Sequence, residues 1–218
     1  MGYNVAIDGP AGAGKSTIAK LVAKEKGYIY VDTGAMYRGL AIHFLDKGIQ
    51  AEETEKIIEA CKDAEVTIKY EDGIQQVYLN GNNITSRLRD EEVGNMASKS
   101  SPIPEVRAKL LELQKGLART QDVIMDGRDI GTCVLPNADV KVFLTASVET
   151  RAKRRFDELT EKGVECDLKE IAKDIAERDE RDMTREIAPL KQADDAVLVD
   201  SSNMTIEEVV AAITSLCK

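Results

Sequence analysis

The stretch GPAGAGKST, Gly9–Thr17, limits the possible folds of this chain more than any other feature. It fits the pattern G-x-x-x-x-G-K-[ST], it follows the apolar run Tyr3–Ile7, and a helical pattern covers Lys15–Lys26 after it. A strand, a glycine loop and a helix in this order indicate a parallel α/β sheet with right-handed crossovers. The sequence therefore predicts a phosphate-binding loop at the end of the first strand.

The loop predicts binding of a nucleoside triphosphate. Its glycines let backbone N–H groups point inward, and the start of the helix adds positive potential. Lys15 should reach the β- and γ-phosphates, and the hydroxyl of Ser16 can ligate Mg²⁺. A flexible glycine turn would explain the glycines but not a Lys-Ser pair at this offset. The predicted donor-binding residues are Gly9, Pro10, Ala11, Gly12, Ala13, Gly14, Lys15, Ser16 and Thr17.

The rest of the chain continues the alternation of strands and helices, with one interruption. Further strands are predicted at 28–31, 123–125, 140–144 and 196–199, a turn at 32–35, and helices at 36–46, 52–64, 90–98 and 104–119. Between them, Val66, Ile68 and Tyr70 alternate with polar residues, and Asp72-Gly73 makes a turn before Gln76–Leu79. This pattern is typical of an antiparallel hairpin.

These elements predict a single α/β domain over 1–218. We expect a doubly wound parallel sheet flanked by helices, with a core of 1–64 and 103–218. The hairpin belongs to a small acceptor-binding insert at about 65–102, and a helical lid covers about 150–168. Thr205 and Glu208 have capping-box spacing ahead of the last helix.

Charge and composition exclude several classes of function. The net charge of −9 opposes general attraction to nucleic acid or to an anionic membrane, so small anions would need locally gathered arginines. The chain opens without a basic n-region and an apolar h-region, and no apolar run reaches transmembrane length, so we expect a cytoplasmic protein. The sole histidine, His43, is expected to be structural. Four distant cysteines, Cys61, Cys133, Cys166 and Cys217, are expected to be reduced packing thiols.

Three arginine-bearing segments are candidates for anion binding. In ERDERDMTREIAPL, Arg178, Asp182 and Arg185 have the spacing of a single helical face, whereas Asp179 and Glu180 are directed away from it. The same spacing also suits a solvated helix with salt bridges, and the segment alone does not decide between them.

In RAKRR, Arg151 and Arg155 share a face, with Arg154 beside them. Such a segment can close over a transferring phosphoryl group, although a surface helix explains it as well.

Arg38 and Arg128 follow predicted strands, where ligands bind at the shared carboxyl edge of a doubly wound sheet. An arginine near a buried strand end needs an anion. Arg128 could meet a ligand, or it could pair with its neighbour Asp129 in a purely structural arrangement.

A phosphate-binding loop alone does not distinguish a switch, a motor and a small-molecule kinase. The chain lacks the N-K-x-D and D-x-x-G segments typical of a GTPase, and its charge does not favour a motor on a nucleic-acid track. A kinase needs a second anion site and a means of excluding water, both of which arginines could supply. A kinase of another monophosphate or of an alcohol, and a nucleotide-dependent regulator, are the alternatives.

The chain resembles the bacterial cytidylate kinases, which are nucleoside monophosphate kinases with an enlarged insert. The resemblance runs in order through IDGPAGAGKST, VDTGAMYR, ASKSSPIPEVR, MDGRDIGT and ERDERDMTRE. It implies phosphorylation of CMP and dCMP by ATP with Mg²⁺, by a cytoplasmic monomer that binds neither nucleic acid nor membrane.

The resemblance also implies a role for individual residues. Asp182 would bind the sugar hydroxyls of the acceptor, and Arg154 would lie near adenine. The catalytic residues would be Lys15, Arg128, Arg151, Arg155, Arg178 and Arg185. The CMP-binding residues would be Thr33, Tyr37, Arg38, Ser98, Arg107, Arg128, Asp129, Arg178, Asp182 and Arg185, with Thr33 where many relatives carry Ser.

Asp129, Arg107 and Ser98 suit cytosine on chemical grounds as well. Cytosine offers an amino donor and acceptors at N3 and O2, which complement a carboxylate, a guanidinium and a hydroxyl. Uracil places a carbonyl where Asp129 expects a donor, a buried mismatch of about 1–3 kcal/mol. CMP should therefore be preferred over UMP by roughly ten- to a hundredfold.

Overall fold

The apolar run before the glycine loop forms the central strand of a parallel sheet in the computed structural model, which describes residues 2–218. In chain order the elements are β1 (Asn4–Asp8), α1 (Lys15–Lys26), β2 (Ile29–Asp32), α2 (Thr33–Asp46), α3 (Thr54–Cys61), β3 (Val66–Glu71), β4 (Ile74–Leu79), β5 (Asn82–Asn83), α4 (Glu91–Ser100), α5 (Pro104–Thr120), β6 (Val123–Gly127), β7 (Val140–Thr145), α6 (Val148–Glu161), α7 (Leu168–Thr184), β8 (Val197–Asp200) and α8 (Ile206–Thr214).

The main sheet has the strand order β2-β6-β1-β7-β8, and all of its neighbours are parallel. Asp8 lies opposite Gly127 on one side and Phe143 on the other, so the strands end at a common edge. That edge carries the glycine loop and the residues after β6, as the sequence predicts.

Helices cover both faces of this sheet, each over its own apolar core. One face packs against α2, α3, α5 and the insert, with Met36, Leu40 and Phe44 fully buried. The other face packs against α1 and α8 through residues such as Val22 and Ile213. The predicted doubly wound α/β fold is confirmed.

The predicted hairpin forms a second, antiparallel sheet of three strands in the order β3-β4-β5. Asp72 and Gly73 adopt positive φ between the paired ends of β3 and β4, the conformation that an Asp-Gly hairpin turn requires. The side-chain amide of Gln75 accepts a hydrogen bond from Asp32 N (2.9 Å) and donates one to Asp32 O (3.1 Å). The Tyr70 hydroxyl donates to Tyr30 O (3.0 Å). The second sheet is thereby attached to strand β2.

Two local predictions are wrong for identifiable reasons. The turn expected at 32–35 is the first turn of α2, because the carboxylate of Asp32 accepts from Ala35 N (2.9 Å) and caps a helix from Thr33. Arg185 does not share a helix with Asp182, because α7 ends at Thr184 and Leu190 N returns to donate to Asp182 O (2.7 Å).

Some smaller predictions can also be compared with the structure. The capping box of Thr205 and Glu208 is present at the start of α8. His43 is buried, and its Nε2 lies 3.1 Å from Ala60 O, in keeping with a structural role. Cys61 is buried, but Cys133 is exposed and is therefore not a packing thiol. From Gly2 to Lys218, no helix combines the length and apolar character needed to span a membrane.

Candidate active site

A cleft of about 670 Å³ runs along the carboxyl edge of the main sheet, from the glycine loop toward the insert. Every residue that the sequence predicts for the site lines this cleft, except Gly9 and Pro10. Residues from α2, α4, α5, α6 and α7 meet there with the loop and the end of β6. The fold thus brings together segments that are far apart in the sequence.

The glycine loop forms one end of the cleft. Gly14 precedes α1 with a φ of 88°, a left-handed conformation that glycine adopts without strain. A Cβ on Gly9 would lie 1.9 Å from Leu144 O, so the loop begins pressed against β7. The Lys15 ammonium donates to Pro10 O (2.8 Å). Gly9 and Pro10 therefore contribute to the structure of the loop rather than to the wall of the cleft.

Lys15 is a buried cation in a strongly charged neighbourhood. Burial lowers the pKa of Lys15 to about 7, and the positive charge of the nearby Arg128 adds to this shift. The carboxylates of Asp126 and Asp8 oppose it. An anion in the loop would favour the charged form of Lys15.

Asp126 joins the loop to strand β6, and sequence reasoning gave it no role. Its Oδ2 accepts a hydrogen bond from Ser16 Oγ (3.0 Å), and its Oδ1 accepts one from the Tyr30 hydroxyl (2.9 Å). Burial, reinforced by the nearby Asp32, raises the pKa of Asp126 to about 6. Its position at the end of the strand beside β1 was the available signal, because that edge carries ligand-binding groups.

The middle of the cleft holds a cluster of arginines. Arg128 Nε donates to Asp182 Oδ2 (2.9 Å), which places Arg128 toward α7. Among residues 2–218, the buried Arg178 Nε has no hydrogen-bond partner. Burial and the neighbouring Arg128 lower the pKa of Arg178 to about 10, and Arg38 contributes further repulsion. Three guanidinium groups held this close suit an anion with several oxygens.

The end of the cleft nearest the insert is built around Asp129. Its carboxylate forms an ion pair with Arg107, and its Oδ1 lies 3.7 Å from a terminal nitrogen of Arg185. Arg107 also lies over the ring of Tyr37, 5.9 Å from its centre. Ser98 Oγ is buried, with no hydrogen-bond partner within residues 2–218. A carboxylate, a guanidinium and an unused hydroxyl therefore face one space.

This geometry decides between the two interpretations of Arg128 and Asp129. The two side chains do not form a closed pair, because Arg128 meets Asp182 and Asp129 meets Arg107. Thr33 also lines the cleft, and its hydroxyl donates to Asp126 O (2.7 Å). Arg185 still reaches the cleft from beyond the end of α7, held by Nε donation to Ala188 O (2.7 Å).

Arg151 is buried and held by several hydrogen bonds, which its position in a basic segment does not predict. It is 3% exposed, and its three nitrogens donate to Ala146 O (2.9 Å), Ala11 O (2.9 Å) and Asp179 Oδ2 (2.5 Å). Arg151 and Arg155 both line the cleft, but Arg155 differs from Arg151 in being exposed and pairing with Glu158. Asp179, expected to point away from the site, is the buried partner of Arg151. Helical periodicity shows which residues share a face but not which helix covers that face.

Arg154 also reaches the cleft from α6. Its guanidinium donates to Ser201 O (2.8 Å) in the loop after β8. It therefore lines the same cleft as the glycine loop and the arginine cluster.

Comparisons with known proteins show the family to which this chain belongs. The family model described as Cytidylate kinase matches residues 5–218. A protein of Caldicellulosiruptor saccharolyticus named Cytidylate kinase is 53% identical over 213 residues, which cover 98% of this chain and 94% of that protein. A Lactobacillus johnsonii protein of the same name is 50% identical, covering 97% of this chain and 92% of that protein.

Among solved structures, an uncharacterized protein of Eubacterium ventriosum superposes with a TM-score of 0.52. It is 13% identical, and the match covers 99% of this chain and 97% of that one. At this identity the likeness shows the fold alone.

Proposed function

The chain belongs to the cytidylate kinase family, and we propose that it phosphorylates CMP and dCMP. In this reaction the terminal phosphoryl group of ATP is transferred to the monophosphate, giving ADP and the cytidine diphosphates. One observation carries the proposal. A single cleft joins a triphosphate-binding loop to an arginine cluster and to the set of Asp129, Arg107 and Ser98.

The loop would hold the donor. Backbone N–H groups of Ala11–Thr17 and the start of α1 would bind the phosphates, and Lys15 would reach the oxygens of the transferring group. Gly9 and Pro10 would support the loop, since Pro10 O already fixes the Lys15 ammonium.

The residues present fit a magnesium ion. Ser16 Oγ and Asp126 Oδ2 lie 3.0 Å apart at the loop, and Mg²⁺ prefers one or two such oxygens together with substrate phosphates and water. The bound ion would supply positive charge that offsets the negative charge developing on the donor phosphates. Ser16 would be a ligand, and Asp126 would hold the ion or its water.

The arginine cluster would hold the acceptor phosphate. Arg38, Arg128, Arg178 and Arg185 would bind its oxygens and orient one of them toward the donor, so no side-chain nucleophile is required. Asp182 would bind the sugar hydroxyls. The position of Asp182 beside Arg128 supports this, because the sugar is adjacent to the phosphate in a nucleotide.

The end nearest the insert would bind the base. Asp129 would accept from the cytosine amino group, while Arg107 and Ser98 would meet O2 and N3. Thr33 and Tyr37 would complete the walls of this subsite. The unused Ser98 hydroxyl supports the assignment, since buried polar atoms rarely lack partners in the absence of a ligand.

The start of α6 would close the donor side. Arg155 is exposed, and within residues 2–218 its side chain pairs with Glu158 alone, so it could move toward the transferring group, while Arg154 would border adenine. The buried Arg151 would support Ala11 of the loop. In this proposal the chain is a monomer. It consists of a core, a lid at about 150–168 and an insert at about 65–102 that binds the acceptor.

A substrate panel tests this function. ADP release would be measured with ATP and Mg²⁺ in the presence of CMP, dCMP, UMP or AMP, or with no acceptor. We expect rapid turnover only with the cytidine nucleotides, and its loss on chelation of Mg²⁺. In Asp129→Asn, the ratio of kcat/KM for CMP over UMP should fall about tenfold. The control is Asp139→Asn. Asp139 is exposed and accepts a hydrogen bond from Asn4 N, at the opposite end of β1.

Each alternative outcome has a distinct meaning. Equal turnover of CMP and UMP by the wild type would overturn the base-reading assignment while leaving a monophosphate kinase. Turnover that is independent of every monophosphate would overturn the proposal itself.

A further inference from the structure

Asp8, the last residue of β1, lies beneath the base-reading end of the cleft and has no place in the function proposed above. It is 5% exposed, and its two carboxylate oxygens are both used. Oδ1 accepts from Ile130 N (2.7 Å), and Oδ2 accepts from Gly131 N (2.7 Å). These are the first two N–H groups of a π-helical turn at Ile130–Val134, directly after Asp129.

The carboxylate thus fixes the backbone that carries the base-reading residue. Asp129 closes the turn from the other side, because its carbonyl oxygen accepts from Cys133 N (2.8 Å). The turn has little room to move away from Asp8. A Cβ on Gly131 would lie 3.2 Å from Lys141 Cδ and 3.4 Å from Asp8 Oδ2.

We propose that Asp8 is a positioning residue for pyrimidine selectivity, acting through the turn that holds Asp129. This inference rests on the proposed function. Asp8 stands on the strand that leads into the donor loop, yet its hydrogen bonds set where an acceptor-reading carboxylate stands relative to Arg107 and Ser98. Loss of these bonds should loosen the choice between an amino group and a carbonyl at the base more than it weakens donor binding.

Asp8→Asn isolates this effect, because it keeps the size of the side chain. The amide offers one acceptor and one donor group, so one of the two backbone N–H groups would face another donor. Asp139→Asn is the matched control, since Asp139 also accepts a backbone N–H bond from β1, at Asn4 N (2.8 Å), but at the far end of the strand.

The measurement is kcat/KM for CMP and UMP, with KM for ATP, in the wild type and both variants. In Asp8→Asn we expect the CMP-over-UMP ratio to fall about tenfold, with KM for ATP changed less than twofold. In Asp139→Asn the ratio should not change. An unchanged ratio in a folded Asp8→Asn protein, whatever its thermal stability, would show that Asp8 is merely structural.

A second measurement uses the wild-type protein alone. Burial raises the pKa of Asp8 to about 6 against the opposing effect of its two N–H donors. The charged groups that face it are Lys15 on the loop and Asp129 after β6, whereas Lys141 on β7 packs its aliphatic stem near Gly131 and pairs its ammonium with Asp195. As the pH falls from 7.5 to 5.5, Asp8 becomes protonated and loses part of its acceptor capacity, so the wild-type ratio should fall severalfold.

Taking the ratio removes the titration of the substrate phosphate, which has a pKa of about 6 in CMP and UMP alike. If Asp8→Asn folds, its ratio should stay flat over this range. A wild-type ratio that does not change between pH 7.5 and 5.5 would overturn the inference. A wild type with no cytidylate kinase activity would instead overturn the proposed function, so the two failures are distinguishable.

Discussion

The two ends of the cleft are built from different materials. The donor end is one continuous segment, Gly9–Thr17, in which backbone groups and Lys15 face the space that phosphates would fill. The acceptor end consists of side chains from five separate parts of the chain, among them Arg38 on α2, Ser98 on α4 and Arg107 on α5. A backbone site depends on local conformation, whereas a side-chain site depends on the packing of the whole domain.

The two ends also differ in how they hold their charges. Lys15 is fixed by a neutral carbonyl, Pro10 O. Two arginines of the acceptor end are instead held by carboxylates, in the pairs of Arg128 with Asp182 and Arg107 with Asp129. These ion pairs orient the guanidinium groups before any ligand arrives, and they lessen the repulsion among them.

Removing the Lys15 ammonium tests the donor end separately from the acceptor end. Lys15→Ala should lower kcat about a thousandfold, because it removes a cation that would offset charge on the transferring group. The loss should be equal for CMP and UMP in the coupled ADP-release assay, since the acceptor end remains intact. Lys24→Ala, an exposed lysine on the same helix, is the control. A changed CMP-over-UMP ratio in Lys15→Ala would show that the two ends do not act separately.

The next prediction concerns the stability that the buried ion pair of Arg151 and Asp179 gives to the domain. Asp179→Ala leaves Arg151 buried without its carboxylate and should lower the free energy of unfolding by about 3 kcal/mol, measured by urea denaturation. Glu177→Ala, on the exposed side of the same helix, should change it by less than about 1 kcal/mol. Replacing both members of the pair, as in Arg151→Met with Asp179→Leu, should recover part of the loss. Equal losses in Asp179→Ala and Glu177→Ala would contradict a buried link.

The smallest effect belongs to the acceptor end. Ser98→Ala should raise KM for CMP about fivefold, the equivalent of one hydrogen bond, and leave the thermal midpoint unchanged because Ser98 Oγ has no protein partner within residues 2–218. Ser100→Ala is the reverse control. Its hydroxyl donates to Met96 O (2.8 Å), so it should lower stability and spare KM. The assignment fails if the two serine variants behave alike.

The contrast between a backbone site and a side-chain site also explains which parts of the site can be predicted from the sequence. Helix α1 occupies Lys15–Lys26 as expected, because its start and end depend on adjacent glycines. The arginines of the acceptor end reach the cleft as expected, but the route of Arg185 was not predictable from spacing. Its helix ends one residue earlier, through a hydrogen bond from Leu190 that local periodicity does not show.

Buried partners were the least predictable part of the site. Asp126, Asp179 and Asp8 are all buried carboxylates, and their neighbouring residues in the sequence do not show what they contact. Each is near a recognisable motif, yet each contacts an atom far away in the sequence, such as Ile130 N for Asp8. The contacts of Asp8 and Asp126 follow from the order of the strands, and that of Asp179 from the packing of α7 against α6, neither of which local sequence shows.

The attachment of the second sheet to β2 has a consequence for association between molecules. Strand β2 lies at the edge of the main sheet, where unpaired backbone groups can recruit a strand from another chain. Three of these groups, Tyr30 O, Asp32 N and Asp32 O, are already taken by the side chains of Tyr70 and Gln75. Two side chains therefore do the work of a missing neighbour strand, and they protect this edge against intermolecular β-pairing without lengthening the sheet.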